Sequence, residues 1–558
     1  MTGRVCIVNY DRPRRGPKKG QLKSLYSRIE VLEEKLVVQL DHPEPELTGN
    51  QQDETQRTSS SPRRSSFEDE EDAPHEVSSN TSPAEIPLSS PHSSSGRRSR
   101  SGPIENIQQP LIYSKPSIIQ ADLDQLYFDR VHPIAPFLHQ RRYFSWVDTQ
   151  SPSLGRLCLR SAIRTVAAAM SAQFRGFSRT LYRDTLQLLQ QLDAFERPPS
   201  IEQIQALLLL AHYEVLQMEA SRAMVTAGRC FRLIQLSRLH DTDAVDSDVT
   251  PPPLTPTPSF NEVFAITEEK RRTFWVAYCF DRFLSSRHEW PLTLQEDAIR
   301  TRLPLPEPSF QATQPPQTPP PFLPEALSTS GHKLLPAFSE TIVLATLHGR
   351  AMTLRRMAHV LTPPETPTFW TRHKSLSNLL EKRTQLLARN LPSPRALVEP
   401  MLAFTHFLAR STVVYVGEIT EVVPWGGDEE RLLSGAYMGR SIGAAREVAR
   451  LVCAVRPVNC FKAHLFLPTA LSRAAEFLAT HTVVPEWEWG NPQGNREVDE
   501  LLAVLRDLEV VNGLAREVLR ELEGKIGSAA GASNGRVGMG AAHPMMRRQL
   551  FEATAQAP

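Results

Sequence analysis

The stretch EEKRRTFWVAYCFDRFLSSRHEWPLTLQEDAIRTRLPLPE, Glu268 to Glu307, decides how the rest of the chain is read. Glu268, Glu269, Arg271 and Arg272, and further on Asp281 and Arg282, stand at helical spacing around Phe274, Trp275, Tyr278 and Phe283. Acid–arginine pairs beside a buried aromatic face are fold determinants more often than catalysts. The charges of this stretch are therefore read as structural.

Working outward, the apolar pattern is helical from Ile118 to about Ile526. ALLLLAHYEVLQ, AGRCFRLIQLSRL, LVEPMLAFTHFLARSTVVYV and LFLPTALSRAAEFLATH read as buried or amphipathic helices. In VDELLAVLRDLEVVNGLAREVLRELEG, Leu501, Leu505, Leu508, Val511, Leu514, Val518 and Leu522 recur at threes and fours. Alternating strand-like runs are nearly absent, so the fold class is all-α. Two proline-rich breaks interrupt it, at 250–259 and 303–325. The second is too long and proline-dense for a compact connection and is expected to be a surface loop. The helical domain is placed at 117–527, with a Gly/Ala-rich flexible tail over 528–558. A hydrophobic effector pocket between such helices is compatible with this reading, but the sequence names no ligand.

Upstream the composition changes. Residues 41–116 are rich in Ser, Pro, Arg and acids with few large apolar residues, and are expected to form a disordered linker. Before it, Leu22, Leu25, Ile29, Leu32 and Leu36 follow 3-4-3-4 spacing, with Leu22, Ile29 and Leu36 at heptad a and Leu25 and Leu32 at d. Arg28 at g and Glu33 at the following e suit a parallel pair. A helix this short is marginal alone, so residues 21–40 are expected to form a homodimeric coiled coil. The arm at 1–20 holds Arg12, Arg14, Arg15, Lys18 and Lys19 in RPRRGPKK, next to Cys6. Such cations suit DNA phosphates, and the same run suits a nuclear import receptor.

The totals exclude several classes. Lys+Arg number 63 against 62 Asp+Glu, so the net charge of +1 identifies no partner. The distribution does: from Met1 to Ser27 there are seven cations and one acid, Asp11. Six scattered cysteines make no disulfide framework, and the last five are expected to be buried thiols in a reducing compartment. With no secretory signal and no apolar run approaching the ~20 residues a bilayer needs, a soluble intracellular chain without membrane contact is expected. No G-x-S-x-G elbow, P-loop, H-E-x-x-H or Cys/His metal spacing appears, and an enzyme is not expected.

Two parts of the chain then resemble one family. Cys6-x3-Tyr10-x-RPRRGPKKG followed by a leucine seam looks like the end of a fungal binuclear zinc-cluster DNA-binding domain. LYFDRVHPIAPFLHQRRYF (Leu126 to Phe144), AGRCFRLIQLSRLHD (Ala227 to Asp241) and the opening stretch resemble the same factors' middle homology regulatory domain, over roughly 118–480. Glu269, Arg271, Arg272, Phe274, Trp275, Asp281, Arg282, Ser285, Pro291, Asp297, Leu303 and Pro304 fit its pattern, whereas Glu289-Trp290 replaces its usual glycine-arginine.

The resemblance implies a nuclear transcriptional regulator that works with DNA and the transcription machinery. It often implies control of a metabolic or secondary-metabolite gene cluster. It places Cys6 at the sixth zinc ligand, a remnant only, since one thiolate cannot hold an ion that needs about four ligands. Zinc is thus expected in the family's intact DNA-binding domain and no cofactor in this chain. The alternative is an adaptor that dimerises and regulates without binding DNA by itself.

Overall fold

The computed structural model describes residues 118–147, 151–195, 198–244, 259–328, 334–362, 365–390, 399–423, 427–455, 460–481 and 492–534. The basic arm, the leucine seam and the Ser/Pro-rich segment lie outside these residues. Among the described residues the architecture is all-α, with no strand. The helices are α1 (Ile118–Leu126), α2 (Gln140–Val147), α3 (Leu154–Ala169), α4 (Ser178–Phe195), α5 (Ile201–Leu216), α6 (Ala220–Leu236) and α7 (Phe260–His288). Two short ones follow, α8 (Glu307–Gln311) and α9 (Leu323–Ser328). The C-terminal half holds α10 (Ala337–His359), α11 (Thr366–Arg389), α12 (Pro400–Val422), α13 (Asp428–Val455), α14 (Leu467–His481), α15 (Pro492–Glu509) and α16 (Gly513–Asn534).

Composition explains which helices are central. A helix that is apolar all round has to be buried, and α5 is buried continuously from Gln203 to Leu216. It starts at Ser200, whose hydroxyl accepts the Gln203 N–H, one of the donors that a helix start leaves unpaired. α5 packs on α3 and α6, and α3 on α4 and α1. In the second half α12 has the same role, buried from Ala403 to Thr412 and flanked by α10, α11, α13 and α14. Its start is capped by Glu399, which accepts the amides of Met401 and Leu402. Between the halves runs α7, which packs on α6 and α10.

The structure departs from the sequence reading at three places. The apolar run from Leu501 to Leu522 is not one helix: it breaks at 510–512, yet all seven of its periodic residues are buried. Asn512 makes the break, accepting the Leu514 N–H and donating to the Leu465 carbonyl at 2.9 Å. Gly513 then fits where a Cβ would meet the Leu216 carbonyl at 2.4 Å, which lets α16 close against the end of α5. Second, α16 runs on to Asn534, past the expected start of the tail at 528, through an Ala/Ser-rich stretch that suits helix. Third, the 303–325 segment is not simply a surface loop. Leu303, Pro304, Leu305, Phe310 and Leu323 are buried, while Pro306, Pro308 and the 314–319 stretch are exposed.

The thiols divide as well. Cys158, Cys230 and Cys279 are buried, but Cys453 is exposed and Cys460 half-buried, so burial does not extend to all five. No described helix is long and apolar enough to cross a membrane.

Candidate functional site

The opening stretch forms a clamp. The third and fourth turns of α7 present Glu268, Glu269, Arg271 and Arg272 to three chain segments outside the long helices, around residues 136–139, 243 and 302–307. Arg272, 1 % exposed, donates to Glu268 Oε1 (3.1 Å), to the carbonyls of Pro136 (2.8 Å) and Leu305 (2.7 Å), and to Glu307 Oε2 (2.5 Å). Its guanidinium also lies over the Phe310 ring, 4.2 Å from the centroid. Glu268, fully buried, accepts the Leu305 N–H at 2.8 Å. Arg271 holds Asp243 through Nε (2.8 Å) and Nη2 (2.5 Å), and Asp243 in turn accepts the Arg302 amide at 2.9 Å. Glu269 accepts the His139 amide at 2.9 Å and pairs with Arg142. Trp275 Nε1 donates to the Arg302 carbonyl at 2.7 Å.

Two turns further along α7 the arrangement repeats. Asp281 accepts the amides of Thr293 (3.0 Å) and Leu294 (2.9 Å), while Arg282 donates to the Leu294 carbonyl at 2.7 Å. These charges therefore stand in for the backbone ladder that the proline-rich segment cannot make. This is why the segment packs inward.

The electrostatics follow from this crowding. Burial pushes the Glu307 carboxyl up, but His132, Arg272 and Gln311 outweigh it and hold it down at about 2. At Glu269 burial prevails over Arg142 and the His139 amide and raises the carboxyl to about 7. Every one of these groups is spoken for by backbone or by an opposite charge, which gives the cluster a structural task and leaves no poised nucleophile–base pair in it.

The family-pattern residues do not all join. Pro291 and Asp297 are exposed and lie outside the clamp. Glu289, which stands where the pattern has glycine, takes the left-handed conformation (φ 54°) at the end of α7. A non-glycine residue there costs about 1–2 kcal/mol; the Glu289 side chain faces Arg355 at 3.0 Å. Cys6, the cations Arg12, Arg14, Arg15, Lys18 and Lys19, and the seam residues Leu22, Leu25, Ile29, Leu32 and Leu36 lie outside the described residues.

Sequence reasoning missed a cleft of about 420 Å³ on the far side of Arg282, between the end of α7, the 292–296 turn, α10 and α11. Its walls come from three separated segments, and the one signal in the sequence is Gly349, in the interior of α10. A Cβ there would meet Leu292 at 3.2 Å and Arg282 at 3.3 Å, so glycine lets both lie against the helix.

A family model described as "Fungal specific transcription factor domain" matches residues 125–376, which takes in the whole clamp and most of the cleft. Transcription factor AN6788 of Emericella nidulans is 46 % identical over 474 residues, covering 78 % of this chain and 72 % of that protein. The asperfuranone cluster transcription factor afoA of the same organism is 40 % identical, over 73 % of this chain and 65 % of its own length. The sorbicillinoid biosynthetic cluster transcription factor 1 of Penicillium rubens is 35 % identical over 95 % of this chain and 90 % of that protein. On that match and these relatives, the chain belongs to the family of fungal transcription factors that carry this domain.

Proposed function

We propose that this chain acts in the nucleus as the transcriptional regulator of a secondary-metabolite biosynthetic gene cluster, with the described helices as its regulatory domain. The observation that carries the reading is the extent of similarity to a factor named for such a cluster, 95 % of this chain. The arm then supplies the nuclear address through Arg12, Arg14, Arg15, Lys18 and Lys19, and adds salt-dependent contact with DNA phosphates. Deleting the gene should silence a contiguous set of biosynthetic genes, and the intact chain should restore them. A chain with Arg14, Arg15, Lys18 and Lys19 all changed to Ala should stay out of the nucleus and fail to restore the transcripts. Nuclear accumulation of that variant would sink the import assignment, and unchanged transcripts on deletion would sink the cluster assignment.

Dimerisation falls to residues 21–40. Changing Leu25 and Leu32 to Asp puts two carboxylates into the a/d seam, where apolar knobs are needed. The sedimentation mass of the full chain should fall by half. An unaltered mass would remove the seam from the interface.

The family's intact DNA-binding domain holds zinc, and a structural zinc ion needs about four ligands. Cys6 is the only thiol in the arm. Cys158, Cys230 and Cys279 are buried in the helical body, and no three His, Cys, Asp or Glu side chains among the described residues come together as metal ligands. The second reading is an adaptor that regulates through a DNA-bound partner. A mobility shift with the purified chain alone on promoter DNA separates the two: the adaptor reading expects only weak retardation that disappears as salt rises.

A further inference from the structure

The cleft behind Arg282 has the volume of a small-molecule site, about 420 Å³ against the ~300–1,000 Å³ usual for such pockets. One wall is apolar, built from Leu354, Met357, Leu376 and Leu379. Three guanidinium groups and one carboxylate face it, from Arg282, Arg350, Arg372 and Glu296. Two of the three cations are already satisfied. Arg282 is bound to Asp281 and to the Tyr278 and Leu294 carbonyls, leaving only its buried Nε without a partner. Arg350 is held by Glu296 through two bonds of 3.0 and 2.5 Å. Arg372 differs. It donates only to the Met357 thioether at 3.6 Å, a weak acceptor, and pairs with no carboxylate among the described residues.

An uncompensated guanidinium at the mouth of an apolar-walled cleft selects a planar anion with a hydrophobic body. We propose that this cleft binds a small organic carboxylate. Its carboxylate lies in the fork of Arg372, in the parallel two-bond geometry that arginine favours. Its apolar body rests on Leu354, Leu376 and the adaptable Met357 side chain. Such a ligand ties α11 to α10 and to the turn after α7, the same turn that Asp281 and Arg282 fasten. The inference does not rest on the gene-cluster reading, because binding is measured on the purified chain.

The test is calorimetric titration of the full chain with 2-naphthoate and decanoate, and with 2-naphthamide as the uncharged counterpart. At least one carboxylate should bind saturably at one site, and 2-naphthamide should bind at least about tenfold more weakly than 2-naphthoate. Arg372→Gln, at an exposed position, should weaken the carboxylate about tenfold or more and leave the amide unchanged. Thr353→Trp, which puts an indole into the cleft from the exposed side of α10, should abolish binding of both. The proposal is overturned if neither carboxylate binds by about 1 mM. It is equally overturned if Arg372→Gln binds them as tightly as the unaltered chain.

Discussion

Arg272→Ala will cost this protein a large fraction of its stability, about 3–5 kcal/mol for breaking a buried ion pair from one side. The substitution leaves Glu268 fully buried with Arg271 as its remaining cation, and strips the Pro136 and Leu305 carbonyls of their donor. Each carbonyl left unpaired in the interior adds about 1–3 kcal/mol. Against a typical total of about 5–15 kcal/mol, that is enough to release the 303–310 segment and expose the core behind it. Arg272→Lys keeps the charge but not the fork that reaches Glu268, Pro136 and Leu305 together, and should fall in between. Arg300→Ala is the control: its side chain is 70 % exposed and its partner Asp241 keeps Arg238 at 2.5 Å, so it should change stability by no more than about 1 kcal/mol. Urea unfolding followed by helical circular dichroism orders the three variants. If Arg272→Ala unfolds at the same concentration as Arg300→Ala, the clamp does not hold the fold.

That clamp was legible in the sequence because its charges and aromatic residues lie on one helix, where spacing alone places them together. Their partners were not. Prolines at 304, 306 and 308 remove backbone donors and suggest an exposed loop, and side chains from α7, with Ser339 of α10 on the Pro304 carbonyl, supply bonds that bring the segment inward. The break at 510–512 was hidden for a related reason: Leu508 and Leu514 are both buried, so the apolar rhythm passes through the turn uninterrupted. Asn512-Gly513 was the available signal, an N-cap residue before a glycine. The cleft left only Gly349 as a trace in the sequence, since its walls are 282–296, 346–357 and 372–379 and nothing in their local pattern ties them together.

Below about pH 6.5 acidification draws stability from several histidines that are buried neutral. Burial pushes His348 down to about 3, with the Arg473 charge adding to the effect. It pushes His212 and His406 down to about 4. In the unfolded chain each titrates near about 6.5, so between that pH and the folded value the unfolded state binds more protons. The stability these groups contribute is complete above about pH 6.5 and drains away as pH falls toward 4 for His212 and His406, and toward 3 for His348. Glu269, raised to about 7 by burial, acts in the opposite direction over the upper part of this range, so the whole-protein curve mixes signs. A single substitution isolates one group. His348 sits between Ser286 Oγ at 2.6 Å and Thr412 Oγ1 at 3.1 Å, contacts that His348→Gln can partly keep while removing the titration. Between pH 7.5 and pH 5 the unaltered chain should lose about 2 kcal/mol more stability than His348→Gln, at 1.36 kcal/mol per pH unit below about 6.5. Parallel stability curves for the two proteins would mean that His348 is not held neutral by its burial.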